Sequence, residues 1–313
     1  MHDIFTADDI LSGAEAFSRV TPPARLGVFG DPVEHSRSPA FQNAALDACG
    51  LGCRYVLLHV KPDRFQEAVR GLGAAGFIGA NVTIPHKAAA LVAVDEACDT
   101  SRRCGAVNTI ALRDGRLLGF STDGPGLSRA IREEFSVDLH DLRVVLLGAG
   151  GGAGRAIAMQ CASEGCERLV LVNRTAEKAQ RLAAELESFF RNDRLAGPAE
   201  RLVAIPFDDD SLRRELAMAD LVINATSLGM RHSDPPVLHP RLITPNLMIY
   251  DTVYTTGQSR LLQDASAAGA RGANGLSMLL HQGALAFSIW FDREAPLEIM
   301  RAALLECVKT SNA

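Results

Sequence analysis

The clearest chemical signal in this chain is a glycine-rich turn near its middle, Gly148-Ala-Gly-Gly-Gly-Ala-Gly154. It follows the apolar run Val144–Leu147 and precedes a helix-forming segment that starts at Arg155. A strand, a glycine turn and a helix in this order suit a dinucleotide. The glycines let the backbone approach the pyrophosphate, and the helix N-terminus stabilises its charge. Glycine at such a corner can also serve packing alone, so the turn by itself leaves both interpretations open.

A second signal follows the next predicted strand, Leu169–Val172, which ends in Asn173-Arg-Thr175. An NAD site usually carries a carboxylate at this place for the ribose 2′-OH, whereas an arginine suits a 2′-phosphate. Lys178 could add a second positive charge, or Arg174 and Lys178 could be only the solvated start of a helix. The pattern favours NADP as the cofactor.

A lysine that could transfer protons lies in Asn81-Val-Thr-Ile-Pro-His-Lys87. A predicted strand ends at Val82 and a helix begins after Pro85, which puts Thr83 and Lys87 at the carboxyl end of a strand. Open α/β sheets bind ligands at that edge. A solvated surface is the commoner place for a lysine, but the neighbouring polar groups favour a site here.

Two further groups of polar residues precede predicted helices. Asn108 and Asp123 flank a predicted hairpin, so they can approach each other, although Asp123 could also be a plain helix N-cap. Ser36 and Ser38 precede a helix that starts at Pro39, where they could cap the helix or bind an anion or polyol.

Polar residues also follow the strands of the second half of the chain. Thr226 and Ser227 come after the apolar run Leu221–Ile223, where a nicotinamide ribose could sit. Tyr254 follows the next strand, and Gln282 lies on a later helix. Taken singly, these last two are most simply a core residue and a surface residue.

Composition excludes several classes of protein. Of 313 residues, 47% are hydrophobic, which is ordinary for a globular protein, and no apolar run is long enough to span a membrane. The net charge of −5, without a basic stripe, argues against a nucleic-acid partner. The acidic N-terminus is unlike a secretory signal. Seven scattered cysteines without a CxxC pair predict free thiols in the cytoplasm and no metal site.

Strand and helix patterns alternate along the chain, which predicts an α/β protein with two domains. A doubly wound Rossmann-type domain is expected over residues 129–277, with strands near 144, 169, 202, 221 and 248. An α/β substrate domain is expected over residues 25–128. The last two helical patterns, Leu276–Phe291 and Leu297–Val308, have no strand between them, so 278–313 are expected to return to the first domain. Residues 1–24 are predicted to be an N-terminal extension.

These motifs together resemble the shikimate dehydrogenase family, from about Gly27 to Trp290. Seven blocks occur in the family's order, and a chance match of that order is very improbable. They are His35-Ser-Arg-Ser-Pro39, Asn81–Pro85 with Lys87, Gly105–Thr109, Thr122-Asp-Gly124, the glycine turn with Asn173-Arg-Thr175, Asn224–Met230 and Gln282-Gly-Ala284.

The resemblance implies the reversible reduction of 3-dehydroshikimate to shikimate with NADPH, in the pathway to aromatic amino acids. It implies that Lys87 and Asp123 are the catalytic pair and that both also contact the substrate. The other implied substrate contacts are Ser36, Ser38, Thr83, Asn108, Tyr254 and Gln282. The expected cofactor contacts are Gly148, Ala149, Gly150, Gly151, Gly152, Ala153, Asn173, Arg174, Thr175, Lys178, Thr226, Ser227, Met230, Gly275 and Met278.

Some residues depart from the family pattern. The glycine turn is one residue longer than usual, Asp31 stands where Asn is common, and Gln42 replaces a usual His. Ser121 replaces a usual Asn, and the Pro that usually follows Tyr254 is missing.

Two alternative functions remain. One is a quinate/shikimate dehydrogenase that uses NAD or NADP. The other is a non-catalytic relative that senses the metabolite, which retention of both Lys87 and Asp123 disfavours. Either a monomer or a homodimer is compatible with the sequence.

Overall fold

The computed structural model describes residues 3–190, 200–231, 233–254 and 257–310. The chain divides into two compact units, the first formed by Met1–Thr122 with Leu279–Ala313 and the second by Asp123–Met278. The division thus falls before the helix Asp123–Phe135, and not after residue 128 as the sequence predicted. The reason is local, since this helix packs against the helix Gly152–Ser163 of the second unit.

The described part of the first unit contains a seven-stranded mixed sheet in the order β1-β3-β2-β4-β6-β7-β5. Neighbouring strands on the β1 side, as far as β4, run parallel. Strand β6 runs antiparallel to both of its neighbours, β4 and β7, and β5 pairs parallel with β7. The strands are β1 (Ile4–Thr6), β2 (Ala24–Gly30), β3 (Arg54–His59), β4 (Gly79–Val82), β5 (Glu96–Ala97), β6 (Thr109–Arg113) and β7 (Arg116–Phe120).

The beginning of the chain is part of this core. Strand β1 pairs with β3, and Phe5, Ile10 and Phe17 are at most 1% exposed. The rings of Phe5 and Phe17 lie 4.6 Å apart, and Phe17 packs edge-on against Phe77 at 4.8 Å. For the described residues 3–24, the prediction of an extension is therefore wrong. A three-residue strand is too short to show a period, but its central side chain, Phe5, lies in the core.

Helices of the first unit come from both ends of the chain. They are α1 (Ala7–Leu11), α2 (Glu15–Ser18), α3 (Ser38–Ala48), α4 (Phe65–Gly71), α5 (Lys87–Ala93), α6 (Asp99–Cys104) and, from the last part of the chain, α12 (Leu276–Phe291) and α13 (Leu297–Thr310). Helix α13 packs against α3, and the indole of Trp290 on α12 donates a 2.9 Å hydrogen bond to the carbonyl of Ile110. A Cβ at Gly79 would lie 2.3 Å from the Trp290 indole nitrogen, so this strand needs glycine there.

The described part of the second unit contains a six-stranded, fully parallel sheet in the order β10-β9-β8-β11-β12-β13. Its strands are β8 (Arg143–Leu147), β9 (Arg168–Asn173), β10 (Leu202–Pro206), β11 (Leu221–Asn224), β12 (Met248–Asp251) and β13 (Arg271–Asn274). Numbered within the unit, this is the order 3-2-1-4-5-6 of the Rossmann fold. The sequence predicted five of these strands and missed β13.

Helices α7 (Asp123–Phe135), α8 (Gly152–Ser163), α9 (Ala176–Phe190), α10 (Asp209–Leu216) and α11 (Arg260–Ala267) accompany this sheet. The strand order reverses between β8 and β11. Open α/β sheets bind their ligands outside the carboxyl ends of the strands at such a point. In the described part of the chain, no helix has both the length and the apolar character needed to cross a membrane.

Candidate functional site

The glycine turn follows β8 directly and contains two glycines that the backbone requires. Gly148 has a φ of +85°, which favours glycine, and a Cβ on Gly154 would lie 2.2 Å from the Gly148 carbonyl oxygen. Gly152, in contrast, has open space around its missing Cβ. Nothing within 4 Å of this position therefore requires glycine at 152.

Asn173 joins the turn to the end of β9. Its Oδ1 accepts a 3.2 Å hydrogen bond from the Gly150 amide, and its Nδ2 donates to the Thr175 carbonyl at 2.9 Å. A Cβ on Gly150 would lie 2.8 Å from the Cβ of Lys178. The start of α9 therefore packs directly over the turn. This position favours Lys178 as a ligand contact and not as a solvated residue at the start of a helix.

A cavity of about 520 Å³ opens at this point of the second unit. Its lining includes nine of the predicted cofactor contacts: Gly148, Gly150, Gly151, Asn173, Arg174, Thr175, Lys178, Thr226 and Ser227. Phe207, Ala225 and Leu228 line it as well and were not predicted. Phe207 follows the edge strand β10, and an isolated aromatic residue in a polar loop gave no signal of a site.

Six predicted cofactor contacts do not line this cavity: Ala149, Gly152, Ala153, Met230, Gly275 and Met278. Ala149 is fully buried, and its amide donates to the Val172 carbonyl at 3.1 Å. Gly275 is glycine for packing, since a Cβ would lie 2.1 Å from the Thr252 carbonyl oxygen. Met278 is 8% exposed.

A buried polar network holds the loop after β11. Asn224 accepts from both the amide and the hydroxyl of Thr226, at 3.0 and 2.7 Å, and donates to the Asp251 carboxylate at 2.8 Å. The Ser259 hydroxyl donates to the same carboxylate at 2.5 Å. Burial raises the pKa of Asp251, and these hydrogen bonds partly oppose the shift. The network fixes Thr226 at the rim of the cavity.

In the first unit, several candidate substrate residues lie where strands end and helices begin. Ser38 is the first residue of α3, is 6% exposed, and its amide donates to the Ser36 hydroxyl at 3.4 Å. Lys87 is the first residue of α5, and its carbonyl accepts from the Val107 amide at 3.0 Å. Thr83 continues from β4, with its amide donating to the Phe29 carbonyl at 2.9 Å.

Asn108 is buried immediately before β6 and ties the hairpin ends together. Its Nδ2 donates to the Thr122 hydroxyl at 2.9 Å, and its Oδ1 accepts from the Thr122 amide at 2.8 Å. Thr122 immediately precedes Asp123, which begins α7 and is 7% exposed. The role of Thr122 was not predicted, although it lies within one of the resemblance blocks.

The remaining predicted residues lie on helix α12 and after β12. Gln282 is half-buried, and its Nε2 donates to the Leu279 carbonyl at 2.8 Å. Tyr254 is also half-buried. Gln42, the substitute for the usual His, is fully buried on α3 and donates to the Gly283 carbonyl at 2.9 Å.

Two carboxylates of the loop that leads to Ser36 contact a histidine. The ring nitrogens of His59 lie 2.9 Å from an Asp31 carboxylate oxygen and 3.0 Å from a Glu34 carboxylate oxygen. Asp31, which stands where Asn is common in the family, thus contacts His59, the last residue of β3. These contacts hold the loop between β2 and α3 from which Ser36 projects.

These features define a dinucleotide-binding α/β protein: the parallel sheet, the glycine turn, and the cavity with Arg174 and Lys178. The two cations suit a dinucleotide that carries a 2′-phosphate. Three family models match the chain. They are described as the shikimate dehydrogenase substrate binding domain over residues 28–110, shikimate / quinate 5-dehydrogenase over 129–230, and the shikimate 5'-dehydrogenase C-terminal domain over 275–305.

Individual relatives agree with these matches. The chain is 44% identical to a shikimate dehydrogenase (NADP(+)) of Methanopyrus kandleri, over 90% of this chain and 94% of the relative. A crystal structure of a shikimate dehydrogenase in complex with NADP+ has a TM-score of 0.79 and 35% identity, over 90% and 95% of the two chains. One from Thermus thermophilus with NADP(H) and shikimate has a TM-score of 0.76 and 32% identity, over 90% and 99%. The chain belongs to the shikimate dehydrogenase family.

Proposed function

We propose that this chain catalyses the reversible NADPH-dependent reduction of 3-dehydroshikimate to shikimate, with Lys87 and Asp123 as its acid/base pair. The observation that carries the proposal is the cavity of the second unit, in which Arg174 and Lys178 stand beside the glycine turn. The family membership supplies the substrate class. The product belongs to the biosynthesis of chorismate and the aromatic amino acids.

The residues of the second unit fit the cofactor. Gly148 and Gly150 line the cavity, and a Cβ on them would lie 2.8 Å from side-chain atoms of Thr226 and Lys178, so glycine at both positions leaves the backbone open to a pyrophosphate. Arg174 and Thr175 would hold the 2′-phosphate, with Lys178 as a second cation, while Thr226 and Ser227 would lie toward the nicotinamide ribose. NADPH supplies the hydride that reduces the substrate carbonyl.

Hydride transfer to the carbonyl carbon turns the carbonyl oxygen into an alkoxide. The chain must therefore supply a proton to this oxygen. A lysine ammonium can donate this proton and later recover one from solvent, since its pKa responds to its surroundings, whereas an arginine could not. Lys87 takes this role in the proposal. Asp123 would orient both the ammonium and the substrate hydroxyl, and in the reverse reaction Lys87 would accept the proton.

The remaining polar residues would position the substrate. Ser36, Ser38, Thr83, Asn108, Tyr254 and Gln282 offer hydroxyl, amide and phenol groups that suit a carboxylate and ring hydroxyls. Lys87 and Asp123 would contact the substrate too. The backbone bonds of Ser38, Thr83 and Asn108 hold these side chains on rigid element ends, which reduces the entropy lost on binding.

The proposal places the enzyme in the cytoplasm, which the free cysteines of the described chain favour. Size-exclusion chromatography with light scattering would distinguish a monomer from a homodimer.

Initial rates with two substrates and two cofactors test the function. We expect the highest kcat/KM with shikimate and NADP⁺, and a much lower value with quinate or with NAD⁺. Faster turnover of quinate with NAD⁺ would replace the proposal by the quinate dehydrogenase alternative. Shikimate binding without turnover of either substrate would instead support the metabolite-sensing alternative.

A further inference from the structure

The first unit contains a buried polar residue that is linked to one of its candidate substrate residues and was not predicted as part of the site. Tyr55 lies on β3 and is 1% exposed. Its hydroxyl donates a 2.8 Å hydrogen bond to the Oδ1 of Asn81 at the end of β4. Tyr55 thus joins β3 to the end of β4 through its side chain.

Helix α3 also holds the backbone of Tyr55. The Oδ1 of Asn43 accepts from the Tyr55 amide at 2.8 Å, and its Nδ2 donates to the Tyr55 carbonyl at 2.9 Å. The helix is therefore attached to β3 through the main chain of Tyr55.

The network continues from Asn81 to Asn108. The Nδ2 of Asn81 donates to the Asn108 carbonyl at 3.2 Å and to the Thr109 hydroxyl at 3.0 Å. The Thr109 hydroxyl donates to the Asn108 side-chain oxygen at 3.1 Å. A continuous chain of buried hydrogen bonds thus runs from Tyr55 through Asn81 to Asn108.

The direction of the hydrogen bonds follows from the backbone. A carbonyl only accepts, so the Asn108 carbonyl fixes the Nδ2 of Asn81 toward itself and the Oδ1 toward Tyr55. Tyr55 must then donate to Asn81. Burial raises the pKa of Tyr55 well above its ordinary value, so the hydroxyl keeps its proton. The Asn81 side chain is thereby held in one orientation.

We infer that Tyr55 is a positioning residue for the substrate, acting through Asn81 on Asn108 without contacting the reacting atoms. This inference rests on the proposed function of Asn108 as a substrate contact. Because the network orients groups that bind the substrate and its transition state alike, its loss should weaken binding and leave the chemical step intact.

The test replaces Tyr55 with Phe, which removes one oxygen atom and keeps the ring. We expect the KM for shikimate to rise about three- to tenfold, the value of one neutral hydrogen bond, with kcat and the KM for NADP⁺ unchanged. A purely structural role would lower the thermal midpoint and the active fraction but not the KM of one substrate. An unchanged KM for shikimate in folded Tyr55→Phe would overturn the inference.

Tyr250→Phe is the matched control. Tyr250 is fully buried in the second unit, and its hydroxyl bonds with Ser277 at 3.0 Å and accepts from the Met278 amide at 3.1 Å. Its loss should affect stability or the KM for NADP⁺ and leave the KM for shikimate unchanged. An equal rise in the KM for shikimate in both variants would mean that buried tyrosine hydroxyls act only through general stability, which also overturns the inference.

A double-mutant cycle tests the route through Asn108. Once Asn108→Ala has removed the positioned amide, adding Tyr55→Phe should raise the KM for shikimate by less than about twofold. Fully additive effects would refute this route. If Tyr55→Phe does not fold, Asn81→Ser, which leaves Tyr55 without its acceptor, should give the same rise and the same non-additivity. A wild-type enzyme without shikimate turnover would instead refute the proposed function.

Discussion

Gly154 and Gly152 offer a sharp test of the glycine turn, because the same substitution should have opposite outcomes two residues apart. A Cβ at Gly154 would lie 2.2 Å from the Gly148 carbonyl oxygen and 3.0 Å from the Ala149 Cα, whereas none lies within 4 Å of one at Gly152. Both obstructing atoms are backbone, so no side chain can rotate away. To reach ordinary contact at 3.4 Å, the turn and α8 must separate by about 1.2 Å.

We expect Gly154→Ala to lose about 3 kcal/mol of unfolding free energy, a typical upper value for overpacking. For a unit of this size, the thermal midpoint should fall by about 6–12 °C. The displaced turn should also raise the KM for NADPH at least about tenfold. Gly152→Ala should keep the wild-type KM and gain up to about 1 kcal/mol, because alanine has the lower conformational entropy in the unfolded chain.

Calorimetry and initial rates on both variants provide the readout. If Gly154→Ala matches the wild-type protein in midpoint and KM, the steric argument is wrong. If Gly152→Ala is equally damaging, the space around each Cβ does not decide the outcome, and the steric argument is wrong as well. Wild-type behaviour of the first unit in both variants serves as the internal control.

Four further outcomes are expected. Lys87→Ala should bind shikimate by titration calorimetry yet lose most of its kcat, and an unaltered kcat would exclude its acid/base role. Arg174→Ala should raise the KM for NADPH about tenfold or more while leaving that for NADH within about twofold; equal changes would contradict a 2′-phosphate contact. Burial raises the pKa of Asp251, so the fold favours the protonated carboxyl group. The contribution of this group to the free energy of unfolding therefore falls as pH rises from the ordinary carboxyl range through the folded pKa. The midpoint difference between wild type and Asp251→Asn should therefore shrink as pH rises above the ordinary carboxyl range, and a constant difference would contradict this. Trp290→Phe should cost about 1–3 kcal/mol in urea unfolding by leaving the Ile110 carbonyl without its indole donor, and an unchanged midpoint would show that this bond contributes little.

The sequence predicted the elements whose signals are local. The glycine turn, Asn173 and Arg174 are adjacent to strong apolar strands, and the parallel sheet places all of them at one edge. Lys87 likewise follows a strand and begins a helix, as its Pro-containing motif indicated. The family membership suggested by the ordered blocks is confirmed.

The features that were missed depend on distant contacts. Strands β1, β5 and β13 have only three, two and four residues, so their periodicity is not visible. Tyr55 looks like an ordinary strand residue, and only the sheet brings it beside Asn81. Phe207 lines the cavity because its edge strand is placed beside β9. Such pairings follow from tertiary packing and leave no short-range pattern.

The indole of Trp290 has an optical consequence. It is the chain's sole tryptophan, it is anchored in the first unit, and its ring lies 6.1 Å from that of Tyr55. Excitation above the tyrosine band therefore reports on the first unit alone, while the six-stranded unit emits nothing. The protein carries a built-in, single-site fluorophore that can follow unfolding of one half of the molecule, and substrate titration there, without any label.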